Sequence, residues 1–284
     1  MSSGEILLVA AADEAYAGPA ALALLSAAES TTHPVGCAIL VDSLTPATTE
    51  RVAAAFAHAG VPLQLVELDA DCFAALPVHE RLSRTTYGRL YLSHIQTTAE
   101  RILWLDGDTL TVASIDELVS VDLNGAAVAA TQDVVVPFVS SPYGVTAWQR
   151  LGLLPATGFF QAGVMLIDIA RWREQQIEAR TLDYARNAHD ESTLADQGPL
   201  NAILAGNWMP LEPRWNARAK MDWSIAIGRW VVSRWGIQRR QDFAILHFFG
   251  ARKPWRSDHP PTPDRSTYRR AWRRLLPDFP LPAP

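Results

Sequence analysis

Short unbroken apolar runs alternate with helix-forming stretches over the first two-thirds of this chain, and that alternation leaves few folds open. Ile6–Ala12 is apolar throughout and stops at Asp13, as a strand buried on both faces does, and the Ala/Leu-rich stretch Ala20–Ala28 follows as a helix. Gly36–Val41 reads as a second strand, Ala47–Ala59 as a helix and Leu63–Leu68 as a third strand. In Thr85–Gln96 the bulky positions Tyr87, Leu90, Tyr91 and Ile95 recur at helical spacing, with Ser83, Thr85 or Thr86 to cap them. Strands Ile102–Leu105, Ala126–Ala130 (ending near Asp133) and Gly163–Ile169 continue the series, with a helix around Leu194–Leu204 that starts near Asp196 and Gln197. Repeated βαβ units predict an α/β fold, a Rossmann-like, mostly parallel, doubly wound sheet flanked by helices.

A chain of 284 residues, 49% of them hydrophobic, can bury the core such a sheet needs. Its formal charge of −5 argues against a nucleic-acid partner, which would demand phosphate neutralisation by the body of the protein. From Arg252 onward eight Lys or Arg face three Asp, so the basic surplus is confined to the tail. Cys37 and Cys72 make no disulfide framework, and Cys37 lies in an apolar run where a buried thiol is expected, which suggests a reducing cytoplasm. Ile6–Ala12 is too short for a signal segment or a membrane span, and no basic region precedes it.

Within this frame Arg101-Ile-Leu-Trp-Leu-Asp106-Gly-Asp108-Thr109 delivers two carboxylates, spaced i and i+2, at the C-terminal end of an apolar strand. Open parallel sheets bind ligands at that edge, and paired carboxylates there can hold a hard divalent cation against phosphate oxygens. The Asp-x-Asp pattern is short, and a chain of this length carries about one by chance. Asp69-Ala70-Asp71, after Leu63–Leu68, is read as such a decoy in a solvated turn.

A second segment supplies companions. Ile245-Leu-His247-Phe-Phe-Gly250-Ala-Arg-Lys253 places an imidazole at a strand end, a glycine three residues on and a lysine three further. The imidazole completes an O/O/N donor set with Asp106 and Asp108 that suits Mn²⁺ or Mg²⁺. Gly250 lets backbone approach a phosphate, and Lys253 offers it a point charge.

The ordered blocks Ala11-Ala12-Asp13-Glu-Ala15-Tyr16, Thr85-Thr-Tyr-Gly-Arg89-Leu, Trp104-Leu-Asp106-Gly107-Asp108-Thr, Phe160-Gln161-Ala162-Gly163-Val, Asp196-Gln197-Gly-Pro-Leu-Asn201 and His247-Phe-Phe-Gly250-Ala-Arg-Lys253-Pro-Trp255 together resemble glycosyltransferase family 8, from about residue 6 to 256. The resemblance implies a GT-A fold over residues 1–256 with a smaller acceptor-side and C-terminal region, and a Pro-rich basic tail over 257–284. It also implies a UDP-hexose donor (galactose or glucose), Mn²⁺ dependence and α-transfer with retention to a carbohydrate or glycolipid acceptor. It makes Ala11, Ala12, Asp13 and Tyr16 the uridine pocket and Asp106, Asp108 and His247 the metal ligands. Gly107 offers backbone to the nucleotide, and Gly250 and Lys253 grip the diphosphate. Arg89 reaches the donor sugar and the aspartate pair, Gln161, Ala162 and Gly163 line the donor site, Asp196 binds sugar hydroxyls, and Gln197 lies beneath the anomeric carbon. Two positions depart from the family's pattern: Gln161 stands where Asn is usual, and Ala15 where a polar residue often precedes Tyr.

Retention requires the acceptor oxygen to arrive on the face the phosphate leaves. Either Gln197 forms a transient adduct, or the acceptor attacks on the leaving-group side while a phosphate oxygen takes its proton; a neutral amide without an activating base favours the second. Asp133 and Trp215 are candidate acceptor contacts. Trp208, Trp215, Trp223, Trp230 and Trp235 could form a sugar-binding wall or, as most tryptophans do, a core. The segment Tyr268–Leu276, with four arginines around Trp272, reads equally as a peripheral membrane contact at the inner face of the membrane or as a helix docked on an acidic body. Two rival readings are a haloacid-dehalogenase-like phosphatase, whose nucleophile strand also carries Asp-x-Asp before Thr, and a nucleotide-sugar-binding protein without activity.

Overall fold

A computed structural model describes residues 5–69, 76, 84–187, 196–219, 242–250, 253–256 and 262–281. Asp71, Cys72, Ser83, Leu194, Trp223, Trp230 and Trp235 lie outside these residues.

The first run becomes β1 (Ile6–Asp13), nearly all buried, and its neighbours are β2 (Val35–Asp42), β3 (Leu63–Glu67) and β4 (Arg101–Leu105). Helix α1 (Ala17–Ala28) is buried almost all round because it packs between the sheet, α2 (Pro46–Ala59) and a helix near the C-terminus. In α2 the sequence marks its own ends: Pro46 opens it, the Thr45 hydroxyl accepts the Thr48 N–H at 3.3 Å, and Gly60 closes it. After β4 come β5 (Thr109–Thr111), α3 (Asp116–Val119), β6 (Val128–Gln132) and β7 (Phe160–Asp168), then α4 (Ile169–Glu174), α5 (Ile177–Asn187) and α6 (Gln197–Leu204). Strands β8 (Met209–Leu211), β9 (Ala217–Arg218) and β10 (Ile245–His247) and helix α7 (Pro263–Leu275) follow.

The main sheet has the order β3-β2-β1-β4-β7-β6-β8, and a small sheet has the order β5-β10-β9. Six strands of the main sheet run one way, and β7 runs against both neighbours, β4 and β6. Mostly parallel pairing is thus met with one reversal that positions the site. Because β7 is reversed, its first residues, Phe160–Gly163, lie at the edge where β4 and β6 finish.

Thr85–Gln96 is not one α-helix but two 3-10 helices, Arg84–Leu90 and Leu92–His94. Gly88 in its middle weakens an α-helix, and the three-residue spacing of Tyr87 and Leu90, both buried, suits the tighter winding. Helix α7 turns Tyr268 and Trp272 into the main core, joined by Leu276, while Arg270, Arg273 and Arg274 face outward and Arg274 pairs with Glu29 at 2.6 Å. The Trp272 indole N–H donates to the Phe279 carbonyl at 2.9 Å. Of the two readings of this segment, the docked helix is the one observed, and its aromatic anchor is spent in the core. Among the described residues no helix is long and apolar enough to cross a membrane.

Candidate active site

The two aspartates leave the sheet at the end of β4, and the third ligand reaches them through the small sheet. Strand β10 pairs antiparallel with β5 so that His247 faces Thr109, and the Phe248 N–H donates to the Asp108 carbonyl at 2.9 Å. That register carries the imidazole to the carboxylate pair from far along the chain. His247 Nε2 lies 3.0 Å from Asp108 Oδ1 and 3.8 Å from Asp106 Oδ2, and one donor atom from each of the three side chains falls within 4.8 Å of the others. Asp108 and His247 are buried, whereas Asp106 is half-buried.

The environment decides which atoms face the site. Asp106 Oδ1 accepts from the Trp104 indole and from Arg89, both at 2.9 Å, which leaves Oδ2 turned toward His247. Asp108 uses Oδ1 toward His247 and Oδ2 toward the Lys253 ammonium, which also donates to the Phe248 carbonyl at 3.1 Å. Burial opposes a charge on Asp108, yet His247 and Lys253 outweigh it and hold the carboxyl well below its ordinary range. Two carboxylates and one imidazole nitrogen within mutual reach form a donor set for a hard divalent cation, so the residues fit the group.

Arg89 is buried and branched between acids: Nη2 to Asp106, Nη1 to the Ala162 carbonyl, and Nε 2.6 Å from Asp196 Oδ2. Burial pushes the Asp196 carboxyl up to about 6, against the opposing pull of Arg89. The folded protein therefore holds this proton more tightly than the unfolded chain, whose aspartate titrates near 3.8. The contribution of this group to stability then falls as pH rises from about 3.8 to about 6 and is flat above. Asp196→Asn should lose that decline; denaturant unfolding of both proteins at pH 5 and pH 7 checks it, since the stability gap between them must change with pH.

Gln197, the first residue of α6, is held at both ends of its amide: Oε1 accepts the Ala162 N–H at 3.1 Å, and Nε2 donates to Asp133 Oδ2 at 2.9 Å. Asp133, expected to contact acceptor, has its other oxygen taken by the Val135 and Val136 N–H groups, so in this structure it orients Gln197. Trp215 is corrected outright. It is 3% exposed inside the main core, with no ring face for a sugar. Trp208 is half-buried against Phe160.

Gln161, expected at the donor, has its Oε1 engaged within the protein, where it accepts from the Gly163 N–H at 2.6 Å and from the Asn216 side-chain amide. Asn216 in turn bonds His247 Nδ1 at 2.9 Å and was not singled out in the sequence, where a lone buried Asn before a short strand carries no pattern. Nothing in the sequence sets Trp104 apart from its neighbours either. Gly163 has its Cα against the ligands, and a Cβ there would lie 2.2 Å from His247 Cε1.

At the other side, Asp13 ends β1 and accepts the Tyr16 N–H at 3.0 Å, and Ala11 and Ala12 line that strand end. Tyr16 meets Trp255 edge-on at 5.4 Å, with Lys253 6.0 Å from its ring. A Cβ on Gly107 would touch Tyr16 and Ala20 at 3.4 Å, so this backbone lies close under the ring. Gly250 has φ +77°, a conformation that favours glycine, with open space beside it. Cys37 is buried, and its thiol is pushed up to about 12 by that burial.

The chain resembles known proteins along nearly its whole length. "General stress protein A" of Bacillus subtilis (strain 168) is 27% identical over 271 residues, 92% of each chain. The "Lipopolysaccharide 1,2-glucosyltransferase" of Escherichia coli (strain K12) is 25% identical over 68% of this chain but only 55% of its own length. The fold matches an active-site mutant of LgtC with TM-score 0.77 at 23% identity (93% of this chain, 94% of that one), and galactosyltransferase LgtC with donor and acceptor sugar analogs with TM-score 0.74 at 23% identity (96% of each). Such matches identify a GT-A fold. The Thr109 hydroxyl, which a phosphatase reading would set to work on phosphate, donates to the Asp106 carbonyl at 2.8 Å and closes the turn. The model of the family described as "Glycosyl transferase family 8" matches residues 7–259, and this chain belongs to that family.

Proposed function

We propose that this protein is a metal-dependent, retaining α-hexosyltransferase that moves galactose or glucose from a UDP-sugar to a hydroxyl of a glycan or glycolipid. The observation that carries this reading is the convergence of Asp106, Asp108 and His247. LgtC, which shares the fold, has been crystallised with donor and acceptor sugar analogs, which supports a nucleotide-sugar donor and a sugar acceptor. Asp13, Tyr16 and Gly107 supply the uridine end, while Arg89, Asp196 and Gly250 complete the donor contacts. A cytoplasmic location belongs to the same reading, with any contact at the inner membrane face made by the outward arginines of α7. Residues 1–256 carry the transferase site, and helix α7 beyond them belongs to the same body, because it packs Tyr268 and Trp272 into the main core.

When bound at the three ligands, Mn²⁺ or Mg²⁺ would neutralise charge growing on the leaving diphosphate. Lys253, already beside Asp108, adds a second positive charge at the same place. Gln197 is fixed by Ala162 and Asp133, and its Oε1, the atom that would have to attack, is a neutral amide oxygen already engaged by the Ala162 N–H. Its held amide suits positioning the sugar, and the acceptor hydroxyl then attacks on the face the phosphate leaves and passes its proton to a phosphate oxygen. Gln197→Ala should therefore lower turnover by about 10² to 10³ yet leave measurable transfer, the usual cost of one preorganised contact. Complete loss would instead implicate the side chain in bond formation.

The direct test is UDP release from UDP-galactose and UDP-glucose with Mn²⁺ and its loss on chelation. Release of inorganic phosphate in place of UDP, or tight donor binding with no release, would count against a transferase.

A further inference from the structure

The strands set the positions of the metal ligands, but neither of them determines which nitrogen of His247 carries a proton. That choice matters, because only a bare Nε2 can ligate a cation at Asp106 and Asp108. A chain of hydrogen bonds fixes it, and its first link is backbone. The Gly163 N–H can only donate, so the Gln161 atom 2.6 Å from it is the oxygen, Oε1. The same Oε1 also faces the side chain of Asn216, so Asn216 must present its NH₂ there. Its oxygen is then the atom 2.9 Å from His247 Nδ1, and that nitrogen must carry the hydrogen. Nε2 is then the nitrogen that faces the acids, 3.0 Å from Asp108 Oδ1 and 3.8 Å from Asp106 Oδ2, and the one left to ligate a cation once any proton it shares with Asp108 is displaced.

We infer that Asn216 and Gln161 are positioning residues that lock His247 in the Nδ1–H form and so hold its Nε2 ready as a metal ligand. The inference rests on the proposed metal-dependent function. Topology supports it independently of the side-chain distances. Asn216 immediately precedes β9, which pairs parallel with β10 through Ala217 and Leu246, so the small sheet itself sets Asn216 next to the imidazole. Asn216 and His247 are both buried, where a lost partner is not replaced by water. The departure of this chain from the family's pattern at position 161 also gains a reason: the longer Gln side chain folds back to the Gly163 N–H and still meets Asn216, serving the metal's histidine in place of the donor sugar.

Two measurements test this, Mn²⁺ affinity of the protein alone, by the electron paramagnetic resonance of free Mn²⁺, and the ¹⁵N signals of His247 in metal-free protein, identified by their loss in His247→Gln. Wild type should show a hydrogen held on Nδ1. Asn216→Leu should lose that single form and weaken Mn²⁺ binding by about 10- to 100-fold, the usual cost of removing such a partner. Gln161→Met leaves His247 and Asn216 in place but frees the Asn216 amide to turn over, and should give mixed tautomers; it decides the matter if Asn216→Leu does not fold. Unchanged Mn²⁺ affinity in Asn216→Leu, or a pure Nδ1–H tautomer in that variant or in Gln161→Met, would overturn the inference. If wild type binds no Mn²⁺, the metal-dependent function fails, and the tautomer in metal-free protein alone decides the roles of Asn216 and Gln161.

Discussion

Replacing Asp108 with Asn should abolish the Mn²⁺-stimulated release of UDP while the chain still folds. The substitution keeps the shape of the side chain and removes its charge, and this one carboxylate serves two partners at once: Oδ1 faces the Nε2 of His247 at 3.0 Å, and Oδ2 holds the Lys253 ammonium. An amide can supply one weak oxygen ligand but cannot also neutralise a cation. The expected loss in turnover exceeds the 10² to 10³ typical of a single preorganised contact, because ligand and local charge go together. A stability cost accompanies it. Lys253 is mostly buried, and leaving a buried charge without its partner costs roughly 3–5 kcal/mol. Denaturant unfolding separates the two effects. A variant that folds at assay temperature and still responds to Mn²⁺ would remove Asp108 from the ligand set.

The sequence made the parallel half of the fold readable because its strands are buried on both faces. Ile6–Ala12, Gly36–Val41 and Ile102–Leu105 are apolar runs with sharp ends, and each lies within an observed strand. Direction was not readable: Phe160–Asp168 has the same apolar character yet runs backward, since hydropathy reports burial and not polarity of the chain. Short 3-10 helices defeated periodicity at Thr85–Gln96, where Tyr87 and Leu90 satisfy either winding. In the site, Asp106, Asp108 and His247 could be named because donor chemistry restricts residue type, and their meeting depends on the β5–β10 pairing, which brings His247 opposite Thr109. Trp215 and Asn216 are neighbours with opposite outcomes. The aromatic looked functional and is core, while the unremarked amide touches the metal histidine. A side chain's partners are set by three-dimensional register, and nothing in a single sequence marks a polar residue whose partner lies thirty-one positions away.

Gly163→Ala tests how tightly that register is drawn. The added methyl carbon would lie 2.2 Å from His247 Cε1, 2.8 Å from its Nδ1 and 2.8 Å from Asp106 Oδ2, distances at which something must move. The backbone of Gly163 has little freedom to yield, because its carbonyl accepts the Asp106 N–H at 2.8 Å and its own N–H is held by Gln161. His247 is 2% exposed, packed at 3.9 Å against the tilted ring of Phe249 and tied to Asn216, so the ring can retreat only by breaking that bond. Overpacking of this kind costs about 1–3 kcal/mol, which a domain of this size tolerates. The site does not tolerate it equally, since a misplacement of about 1 Å can cost 10²-fold in rate. The expected result is a folded protein with a modestly lowered midpoint of thermal unfolding, Mn²⁺ binding weakened at least as far as in Asn216→Leu, and Mn²⁺-dependent UDP release reduced about 10²-fold or more. Full activity in Gly163→Ala would mean that the imidazole and Asp106 do not press on this glycine in the working enzyme, and the ligand geometry drawn from it would fall.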